Sequence, residues 1–265
     1  MGRIAETFER LRSEKKAAFI AYIMAGDPDR ATSQAIFDGL PAAGADIIEL
    51  GLPFTDPVAD GEAVQMAGLR ALKSGQTVRA TLNMVADFRA RDTTTPVLLM
   101  GYFNPLFSYG VERFLADAAT AGVDGLIIVD MPPEEDDDLC RPARAAGIDF
   151  IRLVPPTTDQ ARLARVARDA GGFIYYVSVT GTTGAAAAVP EEVAPRVEEI
   201  RKVTGLPVVV GFGIKTAAAA AKMAAVADGV AVGSAIVSKI AENGSVEKAL
   251  EFIGELSAGA HSARA

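Results

Sequence analysis

The chain has 265 residues, half of them hydrophobic and 23% charged, with 34 acidic and 26 basic side chains and a formal net charge of −8. This composition supports a large buried core and argues against disorder, and the acidic balance disfavours a nucleic-acid binder, which needs a basic face. A lone cysteine, Cys140, and a lone histidine, His261, argue against an internal disulfide, a His/Cys metal site and catalysis by histidine.

The sequence shows neither a targeting pattern at its first residues nor a membrane span. The first residues lack the apolar stretch of a signal peptide, and Glu6 stands where a myristoylation motif has Ser or Thr. An alanine-rich run at 217–237 is interrupted by Lys222 and Asp228, so its hydropathy is too weak for a membrane span. We therefore expect a cytoplasmic protein with no membrane partner.

Strands and helices alternate along the chain. Residues 3–16 predict an amphipathic helix, because Ile4, Phe8 and Leu11 recur at helical spacing. Eight short segments rich in Val, Ile and Leu predict strands, at 18–24, 45–50, 96–100, 125–129, 149–154, 173–179, 207–210 and 229–232. Further helices are expected at 62–73 and 78–91, and after residue 158, where Thr158 is the predicted cap and Gly171 and Gly172 the predicted end.

Tandem strand–helix units can form either an open doubly wound sheet or a closed barrel. Eight strands, nearly all followed by a helix, favour a single α/β domain, a (β/α)8 TIM barrel. The predicted barrel has an extra N-terminal helix and extra helices in its loops, and we expect the tail to fray from about residue 257. In such a barrel the reactive groups lie at the C-terminal ends of the strands.

Two carboxylates follow the second predicted strand. Glu49 lies near the end of an apolar run, where loss of hydration raises the pKa of a carboxyl, and Asp60 lies beyond a loop stiffened by Pro53 and Pro57. Carboxyls in two different environments suit separate acid and base roles. The alternative is structural: Glu49 would pair with a basic residue and Asp60 would cap the next helix.

Glycine-bearing stretches follow the last three predicted strands, at 180–184, 211–214 and 232–235. Each alone is typical of a turn or a helix start, but together they predict a phosphate site made by backbone N–H groups. The chain has no Walker-type loop, which argues against a nucleotide triphosphatase. Apolar side chains near the strand ends either line a pocket for a planar aromatic ligand or fill the interior of the barrel. They are Tyr22, Met100, Tyr102, Ile127, Leu153, Tyr175 and Phe212, with Phe54 from the loop.

The string at 47–61, Ile-Ile-Glu-Leu-Gly-Leu-Pro-Phe-Thr-Asp-Pro-Val-Ala-Asp-Gly, resembles the signature of the tryptophan synthase α-subunit family with like-for-like changes. Strings at 25–28, 100–105, 129–132, 211–214 and 233–237 resemble the same family, so the resemblance extends from about residue 17 to 255. The chain departs from the family pattern at Glu62, at Val179 and in the alanine run at 185–188.

The resemblance implies reversible retro-aldol cleavage of indole-3-glycerol phosphate to indole and glyceraldehyde 3-phosphate. It implies that Glu49 transfers the protons, that Asp60 stays ionised and binds the indole N–H, and that Tyr175 helps to fix Glu49 or the glycerol chain. Thr183 would orient Asp60. Phosphate would lie on Gly184, Gly213, Gly233 and Ser234, and the indole ring against Tyr22, Met100, Ile127 and Phe212.

The resemblance further implies no cofactor in this chain, with pyridoxal phosphate only in a β-subunit that joins it in an α2β2 assembly. Phe54 and Asp56 are the residues expected at that interface. Three alternatives remain open from the sequence: a free-standing indole-releasing lyase, a catalytically weak activator of a β-subunit, and another phosphate-binding barrel such as a sugar-phosphate isomerase.

Overall fold

The structure is a computed structural model, and it describes residues 2–178, 189–211 and 213–264. Within them lie nine strands: β1 (Ala18–Met24), β2 (Ile47–Gly51), β3 (Val97–Gly101), β4 (Gly125–Ile128), β5 (Asp149–Phe150), β6 (Arg152–Val154), β7 (Ile174–Val177), β8 (Val208–Gly211) and β9 (Gly229–Val232). Every pairing is parallel, in the order β5-β4-β3-β2-β1-β9-β8-β7-β6. The predicted TIM barrel is confirmed.

One predicted strand is divided. The segment at 149–154 forms β5 and β6, which are separated by Ile151. β5 pairs with β4, whereas β6 pairs with β7, so the two halves of one chain segment join the two edges of the sheet. The prediction of eight unbroken strands was wrong here, because this segment changes partners within six residues.

The helices surround this barrel. They are α1 (Arg3–Ser13), α2 (Arg30–Gly39), α3 (Glu62–Lys73), α4 (Val78–Arg89), α5 (Phe103–Tyr109), α6 (Val111–Ala121), α7 (Cys140–Ala145), α8 (Gln160–Ala167), α9 (Pro190–Thr204), α10 (Ala217–Ala224), α11 (Ser234–Asn243) and α12 (Val246–His261). The extra helix α1 packs Ile4, Phe8 and Leu11 into the same apolar cluster as the inward side chains of the strands. This helix therefore closes the N-terminal end of the barrel.

The strands lack polar alternation because they are covered on both faces. All residues of β1, β2, β4, β8 and β9 are buried, which is the burial expected for parallel strands between a barrel interior and a helix layer. Side chains alternate between these two environments, and Ile47 of β2 belongs to the interior cluster. Glu49, two residues further along the same strand, therefore points to the inside at the C-terminal end.

Two local predictions were wrong. Helix α8 is capped by Asp159, whose side chain accepts a hydrogen bond from the Arg162 N–H, and not by Thr158; it ends at Ala167, before Gly171 and Gly172. A carboxylate satisfies the free N–H groups of a first turn better than a hydroxyl one residue too early.

The expected fraying from about residue 257 is also corrected. Helix α12 continues to His261, and the side chain of Ser257 is buried and donates to the Gly44 carbonyl at 2.8 Å. His261 Nε2 lies 2.7 Å from Asp46 Oδ2, just before β2. The only histidine is thus at the N-terminal end of the barrel, opposite the ends of the strands where a catalytic site is expected.

Candidate active site

A pocket opens at the C-terminal ends of the strands. It contains about 830 Å³ of empty space, its open mouth included, which is the size range of small-molecule sites. Residues from β1, β2, β3, β7 and β9 and from the loops that follow them line it. Both predicted carboxylates, Glu49 and Asp60, are among the lining residues.

Glu49 is almost completely removed from water. Its side chain is 1% exposed, and its Oε1 atom has no hydrogen-bond partner among the described residues. Burial raises the pKa of this carboxyl to about 8, and among the described residues no ion pair opposes that rise. The segment at 179–188 contains no basic residue that could supply a partner. The structural alternative, a Glu49 ion pair, is therefore not supported, and the neutral acid is present at neutral pH.

Asp60 lies at the end of the loop between β2 and α3 and is half-buried. Burial raises the pKa of its carboxyl to about 6, and a hydrogen bond from the Tyr102 hydroxyl acts in the opposite direction. The N-terminal cap of α3 is Gly61, and that cap has no side-chain hydrogen bond. The carboxyl of Asp60 is thus not used as a helix cap, and it remains available to a ligand in the pocket.

Three tyrosines surround the two carboxyls. Burial, followed by the charges of Asp60 and Glu49, raises the pKa of Tyr22 well above its usual value. Tyr175 shows the same direction, with burial the main cause and the Glu49 charge the next. Both phenols are therefore neutral hydrogen-bond donors at any physiological pH.

Two glycines make room for these phenols. A Cβ atom at Gly51 would overlap the hydroxyl of Tyr22, and one at Gly211 would overlap the hydroxyl of Tyr175. Gly51 ends β2, two residues beyond Glu49, and Gly211 ends β8, beside β7. The absence of a side chain at these strand ends lets the tyrosine hydroxyls lie over the backbone at the mouth of the barrel.

The side of the pocket formed by the ends of β8 and β9 carries features of an anion site. Gly213, with a φ of +75°, lies just after β8, and Gly233 and Ser234 begin α11 directly after β9. The first N–H groups of α11 have no side-chain cap from Gly233, so they can be donated to a phosphate. Thr183, Gly184 and Phe212, which sequence reasoning also assigned to the ligand, lie outside the described residues, as do Val179 and the alanines at 185–188.

Most of the remaining predicted binding residues that the structure describes meet in this pocket. Tyr22, Met100 and Tyr175 line it, together with the phosphate-end residues. Ile127 does not: it is fully buried in the interior cluster of the barrel, and Leu153 packs against the same cluster. Ile127 and Leu153 therefore fill the interior of the barrel, which was the alternative interpretation of these two side chains.

Sequence reasoning missed Lys215. This residue lines the pocket beside Gly213, Ile214 and Ser234, and its side chain is exposed. Its position could have been inferred from the sequence, because Lys215 follows the last glycine of a predicted phosphate loop by two residues. Other missed lining residues are apolar: Met24, Leu52, Val129 and Ala231 come from the same strand ends and loops, and Val64 comes from α3.

The loop before Asp60 extends to the surface. Phe54 is half-buried against Tyr102, whereas Asp56 is exposed and accepts a hydrogen bond from the Thr55 hydroxyl. Val58 on this loop is 82% exposed, and Phe107 on α5 is 68% exposed. Glu62, one of the departures from the family pattern, begins α3 and is exposed.

Within the described ranges, no group of three His, Cys, Asp or Glu side chains is arranged to hold a metal ion. None of the helices in the part of the chain that the structure describes is both long and apolar enough to cross a bilayer.

Known proteins share both the sequence pattern and the fold. The family model described as tryptophan synthase alpha chain matches residues 8–261. The crystal structure of tryptophan synthase subunit alpha from Legionella pneumophila str. Paris is 38% identical, covers 98% of each chain and superposes with a TM-score of 0.91. A structure from Aquifex aeolicus VF5 is 37% identical with a TM-score of 0.91, covering 98% of this chain and 100% of the other.

Tryptophan synthase from M. tuberculosis in its aminoacrylate-bound form is 34% identical, covers 98% of this chain and 100% of the matched chain, and has a TM-score of 0.88. The family match covers nearly all of the chain, and the barrel places Glu49, Asp60 and the glycines at 213 and 233 around one pocket. The chain therefore belongs to the tryptophan synthase alpha chain family, the TIM-barrel lyases of tryptophan biosynthesis that cleave indole-3-glycerol phosphate.

Proposed function

We propose that Glu49 and Asp60 carry the retro-aldol cleavage of indole-3-glycerol phosphate in this chain. The observation that carries the proposal is the buried carboxyl of Glu49, whose Oε1 has no hydrogen-bond partner among the described residues and which shares a pocket with Asp60. A carboxyl that is neutral near pH 7 can donate a proton, whereas the second carboxyl, with a pKa of about 6, is ionised there. The two groups thus hold opposite protonation states under the same conditions.

The reaction needs one proton moved onto carbon and one removed from oxygen. Glu49 donates its proton to indole C3, which makes the ring an indolenine cation. The resulting carboxylate then takes the proton of the glycerol hydroxyl, and the electrons of the breaking carbon–carbon bond neutralise the ring while the carbinol carbon becomes the aldehyde. The carboxyl of Glu49 ends as it began, so no cofactor is consumed.

Asp60 stabilises the positive charge that develops on the ring. An ionised carboxylate on the indole N–H is a preorganised charge in a partly dry pocket, where it acts more strongly than in water. Tyr175 fixes Glu49 or the glycerol chain, and Tyr22 and Met100 contact the ring, with Ile127 beneath this layer. Thr183, which lies outside the described residues, orients Asp60, and Phe212, likewise outside them, contacts the ring.

The phosphate lies at the other end of the pocket. Gly213, Gly233 and Ser234 donate backbone N–H groups, and Lys215 adds a positive charge beside them; Gly184, outside the described residues, completes the set. Binding at this remote end positions the reacting bond between the two carboxyls, so that binding energy is used for orientation.

The proposal extends to a partner. Phe54 and Asp56 contact a pyridoxal-phosphate β-subunit in an α2β2 assembly located in the cytoplasm, and the α chain itself needs no cofactor. The exposed side chains of Val58 and Phe107 support a docking surface at the mouth of the pocket, because large apolar groups in water are typical of an interface. Membership of the family, and the similarity of this chain to tryptophan synthase from M. tuberculosis, support the same partner.

Indole release from indole-3-glycerol phosphate, measured with and without added β-subunit, tests the proposal. Glu49→Gln should abolish turnover and leave the affinity for a phosphate ligand within about tenfold, and Asp60→Asn should lose about 10²-fold or more. Glu9→Gln, on the exposed face of α1, is the matched control and should change neither.

Unchanged turnover in Glu49→Gln would overturn the role of this residue, and a loss under tenfold in Asp60→Asn would overturn the role of Asp60. Full activity without β-subunit, unaffected by its addition, would identify a free-standing indole-releasing lyase. Binding to the β-subunit without indole release would identify an activator.

A further inference from the structure

We propose that Tyr102 is a positioning residue that holds the carboxyl of Asp60, and the loop that carries it, in the geometry used for catalysis. The inference rests on the proposed function in one respect, that Asp60 is the fixed negative charge of the site. Tyr102 lies directly after β3, and its side chain is only 3% exposed. It reaches across from the neighbouring strand end to the β2–α3 loop.

The hydroxyl of Tyr102 contacts the end of this loop. It accepts a hydrogen bond from the backbone N–H of Ala59 at 2.9 Å. A phenol that accepts a hydrogen bond on its oxygen still has its own proton to donate. The next residue along the loop is Asp60, whose carboxyl lies near enough for a hydrogen bond from Tyr102 to affect its ionisation. The hydroxyl therefore holds the backbone of the loop one residue before Asp60, and its remaining proton is the one we assign to the Asp60 carboxyl.

The ionisation of both partners agrees with this direction of donation. Burial raises the pKa of Asp60 to about 6, and the Tyr102 hydrogen bond lowers it from what burial alone would give. Burial and then the Asp60 charge raise the pKa of Tyr102 to about 12. A donor facing an ionised acceptor is expected to show this pair of directions, because the bond stabilises the carboxylate and the phenol together.

Other groups face this pair from the surrounding elements. Tyr22 on β1 faces the Asp60 charge, Glu49 on β2 shares the pocket, and Asp130 after β4 raises the pKa of Tyr102 further. Lys215 lines the same pocket from the segment after β8. On α3 the neighbour is the uncharged Gln65, whose side chain donates to the Asp60 carbonyl at 2.7 Å. Among the causes of the Asp60 pKa, Tyr102 is the one that favours the ionised form.

The ring of Tyr102 contacts the beginning of the same loop. The centroids of the Phe54 and Tyr102 rings are 5.4 Å apart and their planes are inclined by 36°, a geometry in which aromatic pairs attract each other. Tyr102 thus contacts the loop at two points, Phe54 at one end and Ala59, next to Asp60, at the other. Between them Val58 is 82% exposed, so the middle of the loop is not held by packing. A displacement of Phe54 would therefore reach Asp60 through Tyr102.

The competing interpretation is that Tyr102 is only an apolar wall of the pocket. Tyr102→Phe separates the two, because it keeps the ring and its contact with Phe54 and removes only the hydroxyl. Tyr109→Phe is the matched control: Tyr109 lies at the end of α5, and its hydroxyl donates to Asp117 at 2.6 Å, away from the pocket. If Tyr102 is only an apolar wall, Tyr102→Phe should leave the titration of Asp60 unchanged. If its hydroxyl positions Asp60, the substitution should raise the pKa of Asp60.

The titration of Asp60 is measured by ¹³C NMR of aspartate carboxyls in the free chain, with the resonance assigned by its loss in Asp60→Asn. In Tyr102→Phe we expect the pKa of Asp60 to rise by about 0.5 to 1 pH unit. A rise of one unit from about 6 leaves roughly a tenth of Asp60 ionised at pH 6, so kcat relative to the unchanged protein should fall about 5-fold more at pH 6 than at pH 8. KM should stay within about threefold, and Tyr109→Phe should change none of these values.

An Asp60 pKa unchanged within 0.2 pH unit, or an equal loss of kcat at both pH values, overturns the inference. If Tyr102→Phe does not fold, Phe54→Ala decides, since it loosens the same loop and should also raise the pKa of Asp60; no change there overturns the inference. The proposed function is tested separately, because a loss under tenfold in Asp60→Asn would remove the catalytic role of Asp60 while the NMR titration still reports on Tyr102.

Discussion

Replacing Glu49 with glutamine should change how the stability of the protein depends on pH. The structure buries this carboxyl without a partner for Oε1 among the described residues, and burial raises its pKa from 4.5 to about 8. Between these two pH values the folded chain keeps a proton on Glu49 that the unfolded chain has released. Raising the pH therefore favours the unfolded state, and stability present below pH 4.5 is lost as the pH rises toward 8.

The magnitude follows from the same pKa. A rise of about 3.5 pH units corresponds to about 5 kcal/mol, since each unit is worth 1.36 kcal/mol. A loss of this size is comparable with the lower end of the total stability of natural domains. Glutamine has nearly the same shape and cannot ionise. We therefore expect the free energy of unfolding of Glu49→Gln, minus that of the unchanged protein, to increase by up to about 5 kcal/mol between pH 4.5 and pH 8.5.

Urea unfolding followed by far-UV circular dichroism at five pH values over this range measures the difference. The cost of burying the new amide does not depend on pH, so it does not affect the slope of this difference against pH. The titration of groups that both proteins share cancels in the difference. Glu9→Gln serves as the control, because Glu9 is exposed on α1 and its replacement should give a flat difference. A difference for Glu49→Gln that stays constant within 1 kcal/mol across this range would show that Glu49 is hydrated or paired in the folded protein, and would refute the reasoning.

Two other substitutions test the walls of the pocket. Lys215→Met should raise KM for indole-3-glycerol phosphate about 5- to 30-fold at low salt and change kcat by less than about threefold, because it removes a positive charge near the phosphate. Steady-state indole release at 10 mM and 300 mM salt should show a smaller rise in KM at high salt, and an unchanged KM at low salt would contradict this role of Lys215. Gly51→Ala should lower the free energy of unfolding by about 1 to 3 kcal/mol, because the new methyl group overlaps both the hydroxyl and the ring end of Tyr22. In a Tyr22→Ala chain, which lacks the ring, urea unfolding should show a much smaller loss for the same Gly51→Ala substitution, and an equal loss would mean that the strain lies elsewhere.

The barrel was predictable because the burial of each strand is visible in its own short run of residues. A parallel strand covered on both faces needs an uninterrupted apolar run, and the runs of β1 and β9 coincide with their predicted bounds. The division at Ile151 was not predictable, since the run at 149–154 looks like one strand, and only the positions of β4 and β7 decide that its halves pair with different neighbours. The tail was misjudged for the same reason, because Ser257 and His261 are held by Gly44 and Asp46, more than 200 residues away.

The sequence alone determined that the two carboxyls differ in hydration. Glu49 follows an apolar run and Asp60 follows a proline-stiffened loop, and the different hydration of the two acids is a property of those short segments. Only the tertiary structure decided which groups meet them: the phenol of Tyr102 over Ala59, the ammonium of Lys215 beside the glycines, and the hydroxyl of Tyr22 over Gly51. These contacts join loops that follow different strands, and their distances depend on how the closed barrel brings the strand ends together, which no local pattern encodes.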